Sequence, residues 1–269
     1  MKVYITATKM GSIVPDYKRI ADSLGFDVVD SIKGADFIHL NYPISKAGLK
    51  VLLSNKPLLL HFHGSDTRPK KPHHLWLLNE LIKKSQVACY TTPDLIYPLD
   101  YLYPDDKPLF YVPFPVDTNF FRPFKADHER QNRFLIAGEL HKIKHWEKRF
   151  EEYNEYAHLI DVIDYGVDRD YYKKFIDDVV TWLSRRSFEA MPSLYNNYRF
   201  IIPQASIAFE YFGSMGRVEA EALACGCKLV YVEGGRVKEY KYTRQYVLDN
   251  FSFDAVSKKL KKAYESMSI

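Results

Sequence analysis

Cysteine is scarce in this chain: Cys89, Cys225 and Cys227 are the whole supply. Three thiols at that spacing cannot build a disulfide framework, and the Cys225-Gly226-Cys227 pair falls short of the four ligands a structural zinc takes. Small buried side chains are the expected role of all three. Long apolar runs are missing too. No stretch of about 18 uncharged apolar residues occurs, which excludes a membrane-spanning helix. The opening MKVYITATKM reads as a strand broken by Lys9, without the apolar core and small-residue cleavage site of a secretion signal. A soluble, cytoplasmic protein is the expectation. Nor does one charge dominate: 38 Lys and Arg face 34 Asp and Glu, a net +4. That balance suits an anionic ligand and leaves a peripheral membrane contact open, but it is too small for a nucleic-acid-binding protein.

What the chain does have is regular alternation. Of its 269 residues, 46% are hydrophobic, enough for one large domain or two smaller ones. KVYITATKMGS reads as a strand ending at Gly11, and PDYKRIADSLG as a helix stopped by Gly25. FDVVD, ADFIHLNYP, QVACYTT and PLFYVPFP are strand-like, PHHLWLLNELIKKS is helical, and KPLLLHFHGSD has the continuous apolar run of a strand buried on both faces. After a polar linker near residues 124–133 the series repeats. RFLIAGEL, IDVIDYG, FIIPQ and CKLVYVEGG give strands; WEKRFEEYNEYAHL and DRDYYKKFIDDVVTWLSRRS give helices, the second a long one. SFDAVSKKLKKAYESM closes the chain as a helix, with Ser252 or Asp254 as N-cap. Strands alternating with helices predict parallel sheets covered on both faces. The expected domains are 1–124 and 125–252, with a terminal helix over 253–269.

The segment FGSMGRVEAEALACGC carries the chemistry. A strand delivers the chain to Gly213, Ser214, Met215 and Gly216, and a helix begins near Arg217. Glycines admit a ligand close to the backbone, and the free N–H groups and positive dipole end of the helix favour an anion. Arg217 opposes the dipole but suits a diphosphate. Glu221, one turn on, is placed to accept hydrogen bonds from a ribose diol. Its alanine neighbours imply a helix packed closely on its surroundings. A plain glycine turn before a core helix is the competing reading of this segment by itself.

EALACGCKLVYVEGG resembles the E-A-L-A-C-G-x-P-V segment of the retaining glycosyltransferases of GT-B fold that use the Glu-x7-Glu motif. YVPFPVDTNFFRP, LLHFHGSD and LIAGELHKIKHWEK are similar to three further landmarks of that family, in the family's order, and RQYVLDNFSFDAVSKKLKKAYESM resembles its C-terminal helix pair. The resemblance implies two Rossmann-like α/β domains facing a cleft. It also implies transfer of a sugar from a nucleotide-diphosphate donor to a hydroxyl acceptor, on a glycan, lipid or protein, with retained configuration. Neither a cofactor nor a metal is implied. Donor contacts would come from Gly11, Gly138, Lys144, Gly213, Ser214, Met215, Gly216, Arg217 and Glu221. His63, Lys144 and Glu221 would serve catalysis. The chain departs from the pattern at two places. Gly213 stands where the family has its first motif glutamate, with Glu210 nearby as a substitute, and Glu139 stands where it has a diphosphate-binding arginine.

Other residues allow blander roles. His61 and His63 point to one face of a strand and, with Asp66, His73 and His74, outline a weak metal constellation. A histidine bonded to backbone is the plainer alternative for His63. Asp66 suits a helix cap as well as a sugar hydroxyl. The 21 Tyr and 17 Phe suit sugar stacking or simple core filling. The basic RPKKPHH is a solvated turn, or a patch attracting an anionic acceptor or lipid surface. A nucleotide-sugar epimerase of the same fold and a non-catalytic nucleotide-sugar-binding protein are the rival functions.

Overall fold

The computed structural model describes residues 1–6, 13–44, 46–64, 71–176, 178–204, 209 and 214–267. The chain divides into two units, Met1–Pro115 with Phe253–Ile269, and Val116–Ser252. In the first, six strands run parallel: β1 (Lys2–Thr6), β2 (Asp27–Val28), β3 (Phe37–Asn41), β4 (Leu58–Phe62), β5 (Val87–Tyr90) and β6 (Leu109–Tyr111). Their order is β2-β1-β3-β4-β5-β6, registered as Val3 beside Phe37, Ile38 beside Leu58 and Leu59 beside Val87. Alternation within each strand builds two cores. Val3, Ile5, Phe37, Leu59 and Val87 pack with α1 (Ile13–Ser23). Ile38, Leu40, Leu58, Leu60 and Phe62 face α2 (Lys46–Leu52), α3 (Pro72–Lys84) and α4 (Ile96–Leu102). Every residue of β4 is buried, as its unbroken apolar run predicts.

The second unit holds β7 (Gln131–Ile136), β8 (Ile160–Ile163), β9 (Thr181–Leu183), β10 (Tyr198–Ile201), β11 (Lys228–Glu233) and β12 (Arg236–Glu239), ordered β12-β11-β10-β7-β8-β9. All neighbours are parallel except the β11–β12 hairpin, whose turn places Gly234 and Gly235 at φ of 58° and 72°. Two consecutive left-handed residues make the tight hairpin turn that glycine permits. The helices are α5 (Trp146–Glu152), α6 (Arg169–Ile176), α7 (Met191–Asn197), α8 (Arg217–Ala224) and α9 (Arg244–Phe251). The terminal α10 (Phe253–Glu265) contributes Val256, Leu260, Ala263 and Tyr264 to the core of the first unit.

Three sequence readings are corrected here. The long helix expected over DRDYYKKFIDDVVTWLSRRS stops at Ile176, and Thr181–Leu183 becomes the edge strand β9. The β-branched and aromatic run VVTW favours that outcome over helix. WEKRFEEYNEYAHL is helical only to Glu152 and continues as a 3-10 turn over Asn154–Leu159. The segment before FIIPQ contains a helix, α7, which the sequence reading passed over; Pro192 sits in its first turn, where proline is tolerated.

Each sheet has one place where the chain reverses its direction of strand addition: between β1 and β3 in the first unit, between β7 and β10 in the second. Doubly wound sheets bind ligands outside the carboxyl ends of the strands at such points.

Candidate functional site

At the reversal point of the second unit, β7 leads into Gly138 and the 3-10 turn Lys142–Lys144, while β10 leads towards α8. Gly138 makes room for a side chain of its own unit. A Cβ there would lie 2.8 Å from Cζ2 of Trp146, whose Nε1 donates to the Glu139 carbonyl oxygen at 3.0 Å. Lys144 is half-buried at this edge, and among the described residues no acidic side chain forms an ion pair with it. The exit of β10 is pinned by Arg149, a buried guanidinium on α5. Its Nε donates to the Pro203 carbonyl at 3.0 Å, and its Nη1 to Glu152 Oε2 at 2.6 Å.

Helix α8 starts at Arg217, as read from the sequence, with Gly216 as its N-cap, and residues 219–224 are all buried, as the alanines imply. Glu221 is 5% exposed and accepts from Arg217 Nε at 2.7 Å. One turn of helix therefore places a guanidinium at the sheet edge and a carboxylate behind it, each compensating the other's burial. The guanidinium also lies 5.4 Å from the ring of Phe188. The glycine before the helix has a specific neighbour: a Cβ at Gly216 would come 2.5 Å from Glu219 Oε2. Glu219, in the first turn, accepts from the Gln204 backbone N–H at 3.3 Å and meets the positive end of the helix. Ser214 and Met215 are buried. Gly11, Asp66, Glu210 and Gly213 lie outside the described residues.

The Cys225-Gly226-Cys227 turn after α8 is structural. All three cysteines are free and buried, and burial pushes the Cys227 thiol up to about 12 and raises Cys225 and Cys89 as well. Thiols held neutral in this way are poor nucleophiles and metal ligands. Arg130 secures the turn, donating to the Cys225 carbonyl at 2.7 Å and to Asn196 Oδ1 at 3.2 Å. Gly226 sits at a φ of 86°, and a Cβ there would come 3.1 Å from Arg130 Nη2.

Beside the reversal point of the first unit, β3 and β4 bring together His39, Asn41, His61 and His63. His63 Nε2 is 2.9 Å from Asn41 Oδ1, and its ring stacks between Tyr42 at 4.4 Å and His61 at 4.6 Å. Tyr42 reaches this stack with a left-handed backbone, φ 52°, a conformation uncommon for residues other than glycine. Behind it runs a chain of bonds whose direction is fixed at one end. The Val112 carbonyl can only accept, so His61 Nε2, 2.9 Å away, carries the proton. His61 Nδ1 then accepts from His39 Nε2 at 3.0 Å, and His39 Nδ1 accepts from the Tyr264 hydroxyl at 2.8 Å. Both rings are neutral. Burial lowers His61 to about 3 and His39 well below its usual range; burial and the two neighbouring imidazoles lower half-buried His63.

His61 and His63 do share a face, as the strand reading predicts, but His61 is spent on this internal chain. No group of three or more possible metal-binding side chains occurs among the described residues. His39, Asn41 and Tyr264 were not singled out in the sequence. The signal available was the period of two in FIHLN, which puts His39 and Asn41 on one side of a strand paired with LLLHF.

Comparison of the whole chain with solved structures gives full-length similarity at low identity. Sucrose-phosphate synthase from Thermosynechococcus elongatus superposes with a TM-score of 0.71 at 12% identity, covering 98% of each chain. Anabaena Alr3699/HepE, solved in complex with UDP and glucose, gives 0.68 at 13% identity and 99% of each chain. A glycosyltransferase from Rickettsia africae ESF-5 gives 0.65 at 13% and 98% of each. The chain has the GT-B fold of these enzymes, two Rossmann-like α/β domains. No protein-family model and no curated protein sequence matches it.

Proposed function

We propose that the protein is a glycosyltransferase that moves a sugar from a nucleotide-diphosphate donor to a hydroxyl acceptor, with retention at the anomeric carbon. The observation that carries this reading is the pair Arg217 and Glu221 on α8, at the reversal point of a sheet whose fold is that of glycosyltransferases. HepE, of the same fold, is solved with UDP-glucose, a donor of the proposed class. In this reading the second unit holds the donor. Glu221 takes the ribose hydroxyls, Arg217 turns its guanidinium to the diphosphate, and Lys144 supplies a second cation. The first unit takes the acceptor, with His63 oriented by Asn41 and Tyr42.

The chemistry is simple to balance. The anomeric C–O bond to the diphosphate breaks with its electron pair on the diphosphate, the acceptor oxygen bonds the anomeric carbon, and the hydroxyl proton leaves with the diphosphate or to solvent. Negative charge grows on the leaving diphosphate, and fixed cations stabilise that growth.

Product analysis tests the reaction type. With a donor and a panel of hydroxyl acceptors, the expected outcome is a new glycoside and one nucleoside diphosphate per transfer. Conversion of the sugar nucleotide with no acceptor present would instead identify an epimerase.

A further inference from the structure

Helices α2 and α3 lie side by side on one face of the first sheet. Val51 from α2 and Leu77, Leu78 and Leu81 from α3 share one core, and Lys84 Nζ donates to the Leu52 carbonyl at 3.2 Å. A Cβ on Gly48 would come 3.2 Å from Leu81 Cδ1, so the two helices touch where the glycine stands. Their opposite sides look away from the sheet together. On α2 and the residue after it, that side carries Lys46, Leu49, Lys50 and Leu53, at helical spacing and all exposed, Leu53 by 79%. On α3 it carries Leu75, Trp76 and Lys83, with Trp76 exposed by 55%.

This pattern is unusual for a water-facing surface. Three leucines and an indole stand in solvent, interleaved with lysines rather than with charges of both signs. The single acid on the two helices, Glu80, is bonded to Lys83 at 2.6 Å. Residues 46–84 hold eight Lys and Arg against two Asp and Glu, a net charge larger than the +4 of the whole chain. Apolar side chains alone would suit a protein partner or a second copy. The lysines among them select a surface with negative charge in one plane and an apolar layer beneath it, and an indole favours that boundary.

We infer that the α2–α3 face docks on an anionic lipid bilayer, with Trp76, Leu75, Leu49 and Leu53 entering the interface and Lys46 and Lys50 meeting the headgroups. Sedimentation of the full chain with vesicles of phosphatidylcholine, alone or with 30 mol% phosphatidylglycerol as a roughly physiological anionic content, tests this. Of the three tryptophans, Trp146 is buried and Trp182 is half-buried on β9 of the second unit, so Trp76 is the indole on this face, and its emission would move on docking. The expected result is co-sedimentation and a blue shift with the anionic vesicles only, reversed by raising the salt. Lys46→Glu with Lys50→Glu should weaken binding at least 25-fold, at about fivefold per lysine. Trp76→Ser should abolish the shift at unchanged Tm. Failure of the wild type to bind, or binding that neither variant weakens, would overturn the inference. So would a self-association that the same variants dissolve, which would assign the face to a second copy.

Discussion

Lowering the pH from 7 to 5 should remove about 4 kcal/mol of stability from the first unit, a large share of the roughly 5–15 kcal/mol that holds a typical domain. His39 and His61 are fully buried and neutral, and their folded-state values are depressed, His61 to about 3. In the unfolded chain both titrate near 6.5. Below about pH 6.5 the unfolded state therefore binds protons that the folded state refuses, and each ring costs about 1.4 kcal/mol per pH unit. The loss begins at that pH and continues down to the folded-state values. Geometry gives the same sign. A second proton on His61 would set its Nδ1–H against the Nε2–H of His39, 3.0 Å away, so charging His61 breaks the bonded chain. Urea unfolding at pH 7.5, 6 and 5 measures the effect, and a His39→Gln, His61→Gln variant should show a slope smaller by about two protons. A wild-type profile flat from pH 7 to 5 would mean that these rings take up protons without opening the fold.

On the proposed donor site, Lys144→Ala should lower kcat by a factor on the order of 10²–10³, the usual consequence of removing one donor to a developing anion. Stability should hardly change, because the side chain is half-buried and makes no ion pair among the described residues; shifts within about 0.5 kcal/mol are usual for such positions. Steady-state rates beside a thermal melt separate the two effects. Loss of rate with an unaltered melt and an unaltered KM for the acceptor would match a contact made to the leaving diphosphate. Full activity in the variant would remove Lys144 from the donor site.

Much of the fold was legible because the hydrophobic period does the specifying. LLLHF reads as a strand buried on both faces, and RVEAEALA as a closely packed helix starting near Arg217. The errors fell where the period is ambiguous. FIDDVVTWL carries helical spacing and β-branched residues at once, and the edge of the sheet decided for strand. The site was legible in part. Arg217 and Glu221 sit at i and i+4 of one short helix, so local spacing suffices to bring them together. The partners of His63 come from separated strands: Asn41 from β3, and, behind it, His39 bonded to Tyr264 from the last helix, 225 positions away. No local pattern reports such a contact. Arg149 escaped for a similar reason, since a buried arginine that bonds backbone carbonyls looks in sequence like any charged residue of WEKRFEE.

The assignment of α8 to a nucleotide-sugar donor is tested most directly by calorimetric titration of the folded wild type with a panel of nucleotide-diphosphate sugars, beside Glu221→Gln. Glutamine keeps the shape but removes the charge that Arg217 and the proposed ribose contacts use. A charge-assisted hydrogen bond contributes about 1.5–3 kcal/mol, so binding of one donor by the wild type and a weakening of roughly 10- to 150-fold in the variant are expected. A wild type that binds no sugar nucleotide, or a variant that binds as tightly as the wild type, would contradict the donor site on this helix.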